Sequence, residues 1–344
     1  MKNMKIQTLL LAIPFLFTAC SDDDPGSGGG GGETPINILA NLYATSNSNS
    51  AVVAYDFTPN GILIRTMKSS SGDNQGVFYN EAEDELVVAS RAQKVINTYS
   101  NIDNTIPGGD LNLFLSSDTV LESPRDIVVK DDVYIVSDSA DVDGDPTTDD
   151  GRFFIFTRDA NGYTLRNIVT VEFDVWGIEL IEDDLYTVID DTGDIAVFYD
   201  FIADYTTDVT VAPDKRITIE GIFRANGIAE DDGFVIITDI GDDANENDGS
   251  FHFISGFVDK FENTPNDGTL DFIGNQVKVT GHFTELGNPV GVDYDNQRRT
   301  IFIAERTNEG GKVLFFTEIG AGGNLVPTIS SPYAGASSVY FDDK

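Results

Sequence analysis

Residues 289–295, Pro-Val-Gly-Val-Asp-Tyr-Asp, show most clearly a pattern that recurs along the chain. Each copy opens with glycine or another small residue before a β-branched residue. It then turns at Asp, Glu, Asn or Gly into a second strand, and a loop leads to a third, aromatic-rich strand. The six openings are centred on Gly76, Asp126, Gly177, Gly227, Gly291 and Ser338. Steps of 50, 51, 50, 64 and 47 residues between them match the period of a β-propeller, in which four short strands form one blade.

The strand pattern between the openings excludes a helical solenoid. Beyond the first residues, no stretch keeps apolar residues at helical spacing over three turns, whereas alternation of apolar and polar residues is common. Near-continuous apolar runs, such as Phe-Val-Ile-Ile at residues 234–237, indicate strands that are covered on both faces. The predicted fold class is therefore all-β, a six-bladed β-propeller with four-stranded antiparallel blades.

The two ends of the repeat region are complementary fragments of one blade. The first strand pair, near Leu42 and Ala51, has no opening strand before it, whereas the last opening at residues 338–341 has no further strands after it. We therefore expect residues 339–341 to pair with residues 42–45, which closes the ring and removes two exposed sheet edges.

The N-terminal 36 residues are predicted to lie outside the propeller. Lys2 and Lys5 precede a short apolar run at residues 9–17, and Cys20, the single cysteine of the chain, follows three residues later, as in a secretory signal. This segment resembles the lipobox of bacterial lipoproteins, which implies a signal peptide at residues 1–19 and lipidation of Cys20. Residues 20–36 form an acidic, glycine-rich tether, and residues 37–344 form the propeller. An ordinary signal peptide with a chance cysteine is the alternative.

The anchor predicts a bacterial outer-membrane location, facing either the cell surface or the periplasm. The acidic stretch after Cys20 resembles the surface-export signal of some lipoproteins, and a solvated spacer is the alternative. A formal net charge of −37 repels nucleic acid and anionic membrane surfaces. We expect no nucleic-acid partner and a monomeric propeller that contacts the membrane only through its lipid.

The Pro-x-Gly-Val pattern at residues 289–295 resembles the NHL repeat, and the chain is similar to six-bladed NHL-like and gluconolactonase-like propellers. This resemblance implies that ligands bind over the channel, on the face where loops enter the inner strands and join the second and third strands. Candidates just before the inner strands are Gln75, Arg125, Trp176, Asn226, Val290 and Ser337. Candidates at the ends of the second strands are Asn47, Arg91, Asp138, Asp190, Asp239 and Glu305.

Four acids among the second-strand ends predict an acidic face. Each candidate also has a structural interpretation. An Asp at a strand end often hydrogen-bonds its own backbone. Trp176 is either a wedge between blades or a platform over the channel, and Arg125 is either a ligand contact or an internal counter-ion.

Two acidic loops are candidate sites for Ca²⁺ or another divalent cation, because calcium prefers six to eight hard oxygen ligands. The candidate ligands are Asp141, Asp143, Asp145, Asp242 and Asp243. The spacing in the first loop departs from an EF-hand, since its glycine comes too early. A solvated acidic loop is the alternative, and no cofactor is certain.

The sequence favours a binding protein over an enzyme. A Gly-x-Ser-x-Gly elbow and a phosphate-binding loop are absent, and the histidines are His252 and His282 only. The preferred function is a non-catalytic propeller that binds a protein, a glycan or a cation through the acidic face. A structural role in an outer-membrane assembly is a further interpretation.

The alternative function is a divalent-metal-dependent lactonase, implied by the gluconolactonase-like resemblance. Asn226 with Gly227 resembles the Asn-Gly turn of that family, and Asp126 and Asp239 stand where further acid ligands are expected. At the family's N-terminal Glu ligand the first blade offers Ser337 and Ser338 instead.

Overall fold

A computed structural model describes residues 37–141, 143–145, 148–242 and 244–344. Cys20, the tether and Asp243 lie outside the described residues. The repeat region is one compact unit, Asn37–Lys344.

The described residues form these strands in chain order: β1 (Ala40–Ser46), β2 (Ala51–Thr58), β3 (Gly61–Lys68), β4 (Asn74–Asn80), β5 (Glu85–Ser90), β6 (Val95–Ser100), β7 (Asn112–Ser116), β8 (Pro124–Lys130), β9 (Val133–Asp138), β10 (Gly151–Asp159), β11 (Gly162–Val171), β12 (Val175–Ile181), β13 (Asp184–Ile189), β14 (Asp194–Phe198), β15 (Val209–Thr210), β16 (Lys215–Ile219), β17 (Ala225–Asp231), β18 (Phe234–Asp239), β19 (Ser250–Ser255), β20 (Thr269–Leu270), β21 (Val277–Thr280), β22 (Pro289–Asp295), β23 (Thr300–Glu305), β24 (Lys312–Thr317), β25 (Ile329–Pro332) and β26 (Ala336–Asp343). The helices are α1 (Phe201–Asp204) and α2 (Phe257–Asn263), with single 3₁₀ turns at Glu81–Glu83, His282–Thr284 and Asn308–Gly310.

These strands make six sheets arranged as the blades of a propeller. From the channel outward the sheets run β26-β1-β2-β3, β4-β5-β6-β7, β8-β9-β10-β11, β12-β13-β14-β16, β17-β18-β19-β21 and β22-β23-β24-β25, and we number the blades one to six in this order. Each inner strand contacts the inner strand of the next blade, and β26 contacts β4, so the ring is closed. The predicted six-bladed β-propeller is confirmed.

The core is divided among the six interfaces between neighbouring blades. One buried apolar cluster lies at each interface. In β18, Val235 and Ile237 face the cluster between blades four and five, whereas Ile236 faces the cluster between blades five and six. Because both faces of each sheet are covered in this way, the central strands are continuously apolar.

The C-terminal strand is the innermost strand of blade one. β26 pairs antiparallel with β1, with Phe341 opposite Leu42 and Val339 opposite Ala44. This pairing confirms the predicted ring closure, which joins the two ends of the repeat region in one sheet.

Blades three and four carry a short fifth strand that the sequence pattern did not predict. β15 pairs in parallel with β11, and β20 pairs in parallel with β16. Single parallel bridges join Lys68 to Asp110 and Val279 to Gly323. In all four places, the connection between the third and fourth strands of one blade reaches back to the outermost strand of the preceding blade. These contacts cover sheet edges that would otherwise present unpaired backbone groups.

The inner strands approach one another so closely that a side chain does not fit at several opening positions. A Cβ atom added at Gly177 would lie 2.5 Å from the carbonyl oxygen of Asn226 in the next blade. A Cβ atom at Gly76 would lie 2.5 Å from the amide nitrogen of Ile127. The recurrent glycine of the sequence pattern therefore reflects crowding around the axis.

We predict that Gly177→Ala lowers the free energy of unfolding by about 1–3 kcal/mol, because the added methyl group forces two backbones apart. The matched control is Gly72→Ala, where a Cβ atom meets no described atom within 4 Å; its stability should be unchanged or raised by about 0.4–1 kcal/mol. Urea unfolding of both variants measures the difference, and equal effects would contradict the crowding argument.

Candidate functional site

A β-bulge interrupts the inner strand of every blade at the same place. In blade three, Pro124 pairs with Asp138 but Asp126 pairs with Ser137, so Arg125 is the extra residue. The same one-residue shift occurs in the other five blades. The bulge residues, which we call the bulge ring, include Gln75, Arg125, Trp176, Asn226, Val290 and Ser337. Each of these lies inside its inner strand, where a bulge re-aims the side chain, rather than just before it as predicted.

The inner strands enclose a channel of about 630 Å³. Arg125, Trp176 and Ser337 line the channel at the end that carries the bulge ring. Asp295 and Asp343, at the far ends of β22 and β26, line its opposite end. The bulge ring thus surrounds one mouth of the channel, which is where the sequence placed the candidate site.

Arg125 and Trp176 form a stacked pair at this mouth. The Arg125 guanidinium lies 4.0 Å from the centroid of the Trp176 ring, and its Nε donates a hydrogen bond of 2.6 Å to Ser139 Oγ. Trp176 also packs on the core between blades four and five. Trp176 therefore combines both predicted roles, because it packs between blades and supports a charged group over the channel.

Asn226 is fully buried in the bulge ring. Within the described part of the chain, neither its Nδ2 nor its Oδ1 has a hydrogen-bond partner. A buried polar group left in this condition costs about 1–3 kcal/mol. The amide of Asn226 therefore has unsatisfied hydrogen-bonding capacity, at a position where the sequence predicted a ligand contact.

Three of the four acids predicted to form an acidic face are turned into the protein. Asp138 accepts hydrogen bonds from the backbone amides of Glu122 (2.7 Å) and Ser123 (2.9 Å). Glu305 accepts from the amides of Gly287 (2.9 Å) and Asn288 (3.0 Å). In both cases the donors belong to the loop that leads into the inner strand. These carboxylates hold loops in place, so the structural interpretation applies to them.

Asp239 plays the same part in blade five. It is almost fully buried and accepts hydrogen bonds from the backbone amides of Phe223 (3.2 Å) and Arg224 (3.0 Å). Burial by itself raises its pKa, but His252, the Arg224 amide and Lys278 together lower the pKa to about 2. Asp239 therefore remains ionised as a fixed internal anion.

The remaining predicted face residues are held in ion pairs at the rim. Arg91 Nε lies 2.7 Å from Asp73 Oδ2. Arg224 Nε lies 3.3 Å from Asp190 Oδ1 and 2.7 Å from Asp191 Oδ1. Burial is the main reason that the pKa of Asp190 is raised.

Four arginines from four blades meet at the mouth, and we call Arg91, Arg125, Arg224 and Arg306 the arginine cluster. Burial, followed by the charge of Arg91, lowers the pKa of Arg125 to about 10, and Arg306 contributes to this lowering. Burial also lowers the pKa of Arg306, with Glu305 opposing and Arg224 and Arg91 assisting. Arg125 lines the channel, and Arg306 directly follows β23, which ends beside the bulge of blade six, the opposite blade.

The sequence pattern did not single out Arg224 or Arg306. Both are adjacent to strand ends that meet at the bulge ring: Arg224 directly precedes β17 and Arg306 directly follows β23. Arg91 follows β5 in the same way. This shared position relative to the strand ends was the signal that could have revealed the cluster.

Farther along the channel, acidic side chains connect neighbouring blades. Asp126 accepts hydrogen bonds from the backbone amides of Ile127 (2.9 Å) and Ile178 (3.2 Å), the latter in the next blade. Asp293 accepts from the amides of Tyr294 (2.7 Å) and Phe341 (2.6 Å). Burial raises the pKa of both carboxyls to about 7.

Glu179, on β12 of blade four, adds a third acid to the channel wall. Burial, and then the charges of Asp293, Asp126 and Glu230, raise its pKa well above the usual range. The interior of the channel is therefore acidic, in contrast to the arginine cluster at its mouth.

We predict that Asp126→Asn combined with Asp293→Asn weakens the pH dependence of stability. Because their folded pKa values are raised, these groups favour folding fully below about pH 4 and lose that contribution as the pH rises to about 7. Unfolding free energies measured across this window should therefore fall less steeply in the double variant than in the wild type. Asp118→Asn, at an exposed position, is the control, and a double variant that keeps the wild-type slope would contradict the prediction.

The first predicted calcium loop brings three carboxylates together. Oxygens of Asp141, Asp143 and Asp150 lie within 4.8 Å of one another. Asp145 is outside this group. Asp141 Oδ1 already accepts a hydrogen bond of 2.6 Å from the Gly144 amide, and Asp143 Oδ1 accepts one of 2.8 Å from the Asp145 amide. In the second loop, Asp242 Oδ1 accepts one of 3.0 Å from the Ala244 amide. Calcium in either loop stays a prediction.

Comparison with solved structures supports the fold. No protein-family model and no curated protein match this sequence. A chain from a nidogen/laminin complex aligns with a TM-score of 0.57 at 11% identity, covering 88% of this chain and 98% of that chain. A putative 6-phosphogluconolactonase from Bacteroides fragilis aligns with a TM-score of 0.56 at 8% identity, covering 88% of this chain and 98% of that chain. At these identities the likeness shows the β-propeller fold alone.

None of the described helices is long and apolar enough to cross a bilayer.

Proposed function

We propose that this protein is a non-catalytic, ligand-binding β-propeller of the bacterial cell envelope, and that its ligand binds at the bulge ring. In this proposal Cys20 carries the lipid anchor in the outer membrane and residues 20–36 tether the monomeric propeller. The observation that carries the proposal is the coincidence of six bulges at one channel mouth with an unpartnered amide (Asn226) and a stacked Arg125–Trp176 pair.

The side chains at this mouth favour recognition over catalysis. Stacked aromatic and guanidinium groups provide a rigid surface for a glycan or for a protein side chain. The acids that a hydrolytic metal would require at the second-strand ends accept hydrogen bonds from backbone amides instead. Of the three ligand classes that the sequence left open, a glycan or a protein therefore fits this mouth better than a cation.

Trp176 is the single tryptophan of the chain, so its fluorescence reports directly on the proposed site. We predict that a ligand selected on an array of neutral and acidic glycans changes the Trp176 emission of the wild-type protein on titration. The combined variant Arg125→Ala, Trp176→Ala, Asn226→Ala should lose binding by calorimetry.

The matched control for this experiment is Arg299→Ala. Arg299 lies in the turn between β22 and β23, at the opposite end of the inner strand, and its substitution should leave the affinity unchanged. Undiminished affinity of the triple variant would refute the bulge ring as the binding site.

A metal-dependent lactonase remains the second candidate function, and Asn226 is the observation that favours it. Its unpartnered amide precedes Gly227, which matches the Asn-Gly turn of gluconolactonase-like propellers. Against it, Asp126 uses its carboxylate to bridge two backbone amides, and Asp239 holds the loop before β17.

We predict that purified protein contains less than a stoichiometric amount of divalent metal and does not hydrolyse gluconolactone above the background rate. Elemental analysis gives the metal content, and lactone hydrolysis is followed with and without a chelator. Stoichiometric metal together with chelator-sensitive turnover would replace the binding proposal with the lactonase.

A further inference from the structure

The arginine cluster is unusual for its setting. The chain has 58 acidic and 21 basic residues, yet four arginines converge from blades two, three, five and six on one mouth of the channel. Like charges held together at a partly buried site repel one another, and neighbouring carboxylates are the usual remedy. Each arginine of the cluster is therefore expected to have a carboxylate partner.

Two members of the cluster are neutralised and two are not. Arg91 is paired with Asp73, and Arg224 is paired with Asp190 and Asp191. Among residues 37–141, 143–145, 148–242 and 244–344, no carboxylate forms an ion pair with Arg125 or Arg306. Arg125 donates to a serine hydroxyl, and the Arg306 guanidinium makes no hydrogen bond to a described residue.

Acidic side chains lie near the arginine cluster, but they form hydrogen bonds with other groups. Asp138 and Glu305 directly adjoin this mouth, and both are fully buried and hydrogen-bonded to backbone amides. The channel beyond the mouth is lined by Asp126, Glu179 and Asp293, and burial raises the pKa of all three carboxyls. These acids therefore lie away from the arginine cluster and do not neutralise it.

We propose that Arg125 and Arg306 bind the oxyanion groups of an anionic ligand at the channel mouth, with carboxylates, or phosphate in the same geometry, as the recognised chemistry. This inference rests on the proposed function, because it names the ligand class of the same site. A planar guanidinium donates two parallel hydrogen bonds to such a group. Asn226 lies in the same bulge ring, fully buried and with both polar atoms of its amide unpartnered among the described residues.

Two sources supply this chemistry, a free small anion and a carboxylated glycan. The experiment therefore titrates the purified full-length protein, at low ionic strength, with inorganic phosphate, citrate, trigalacturonate and the uncharged methyl ester of trigalacturonate. Calorimetry gives the affinity, and Trp176 emission gives the location. Preference for citrate or phosphate indicates a small anion, and preference for trigalacturonate indicates a glycan.

The variants are Arg125→Gln and Arg306→Gln, with Arg299→Gln as the control of equal charge change at the far end of the channel. Each of the first two should weaken binding of the preferred anion by about 10-fold or more, as expected for the loss of a charge-assisted hydrogen bond. Arg299→Gln should stay within about twofold, since its charge lies far from the mouth. Because Arg306 makes no side-chain bond to a described residue, its variant should keep the wild-type thermal midpoint.

Three results overturn the inference: no binding of any anionic probe at millimolar concentration, equal weakening by all three variants, or equal binding of trigalacturonate and its ester. The last result, if accompanied by a change in Trp176 emission, refutes the anionic ligand and still supports the bulge ring as a binding site. Binding that is lost in none of the mouth variants and leaves Trp176 emission unchanged refutes both.

Discussion

The pairing of β26 with β1 is the constraint on which the rest of the structure depends. Each sheet buries both faces against its neighbours, and a line of such sheets would leave two apolar faces in water. The C-terminal strand removes that problem, because it joins blade one to the end of the chain and makes blade six a neighbour of blade one. Every interface then holds one apolar cluster, and the protein achieves this without a disulfide within the propeller.

Closing six blades around one axis crowds the inner strands, and the candidate site results from that crowding. Glycines admit the close approach, and a bulge at one position in each inner strand re-aims a side chain at the channel mouth. Asp126 and Asp293 use the small gap between blades to accept amides from the next strand. The same geometry that holds the ring together therefore decides which side chains reach the mouth.

Charge is distributed unevenly between the parts of the propeller. Many acids lie in solvated loops, whereas Asp138, Asp239 and Glu305 are buried as acceptors for loop amides. Because these carboxylates already accept hydrogen bonds from loop amides, the arginines next to the neighbouring strands set the electrostatic potential at the mouth. A strongly acidic chain thus has a locally basic surface at this mouth, and net charge alone gives the wrong sign for this part of the molecule.

The fold and the ring closure were determined by the sequence alone. The signals that determined them are local or additive: strand alternation, the glycine openings and the complementary ends around Leu42 and Val339. They can be recognised without knowledge of side-chain contacts. Strand order also grouped Arg125, Trp176 and Asn226 at one end of the inner strands, where the bulges lie. Only the tertiary structure decided the character of that mouth. The direction of each side chain depends on a bulge, and the fate of each carboxylate depends on which backbone amides lie within 3 Å of it. Arg224 and Arg306 join the site for the same reason, because residues far apart in sequence become neighbours only when the six blades share an axis.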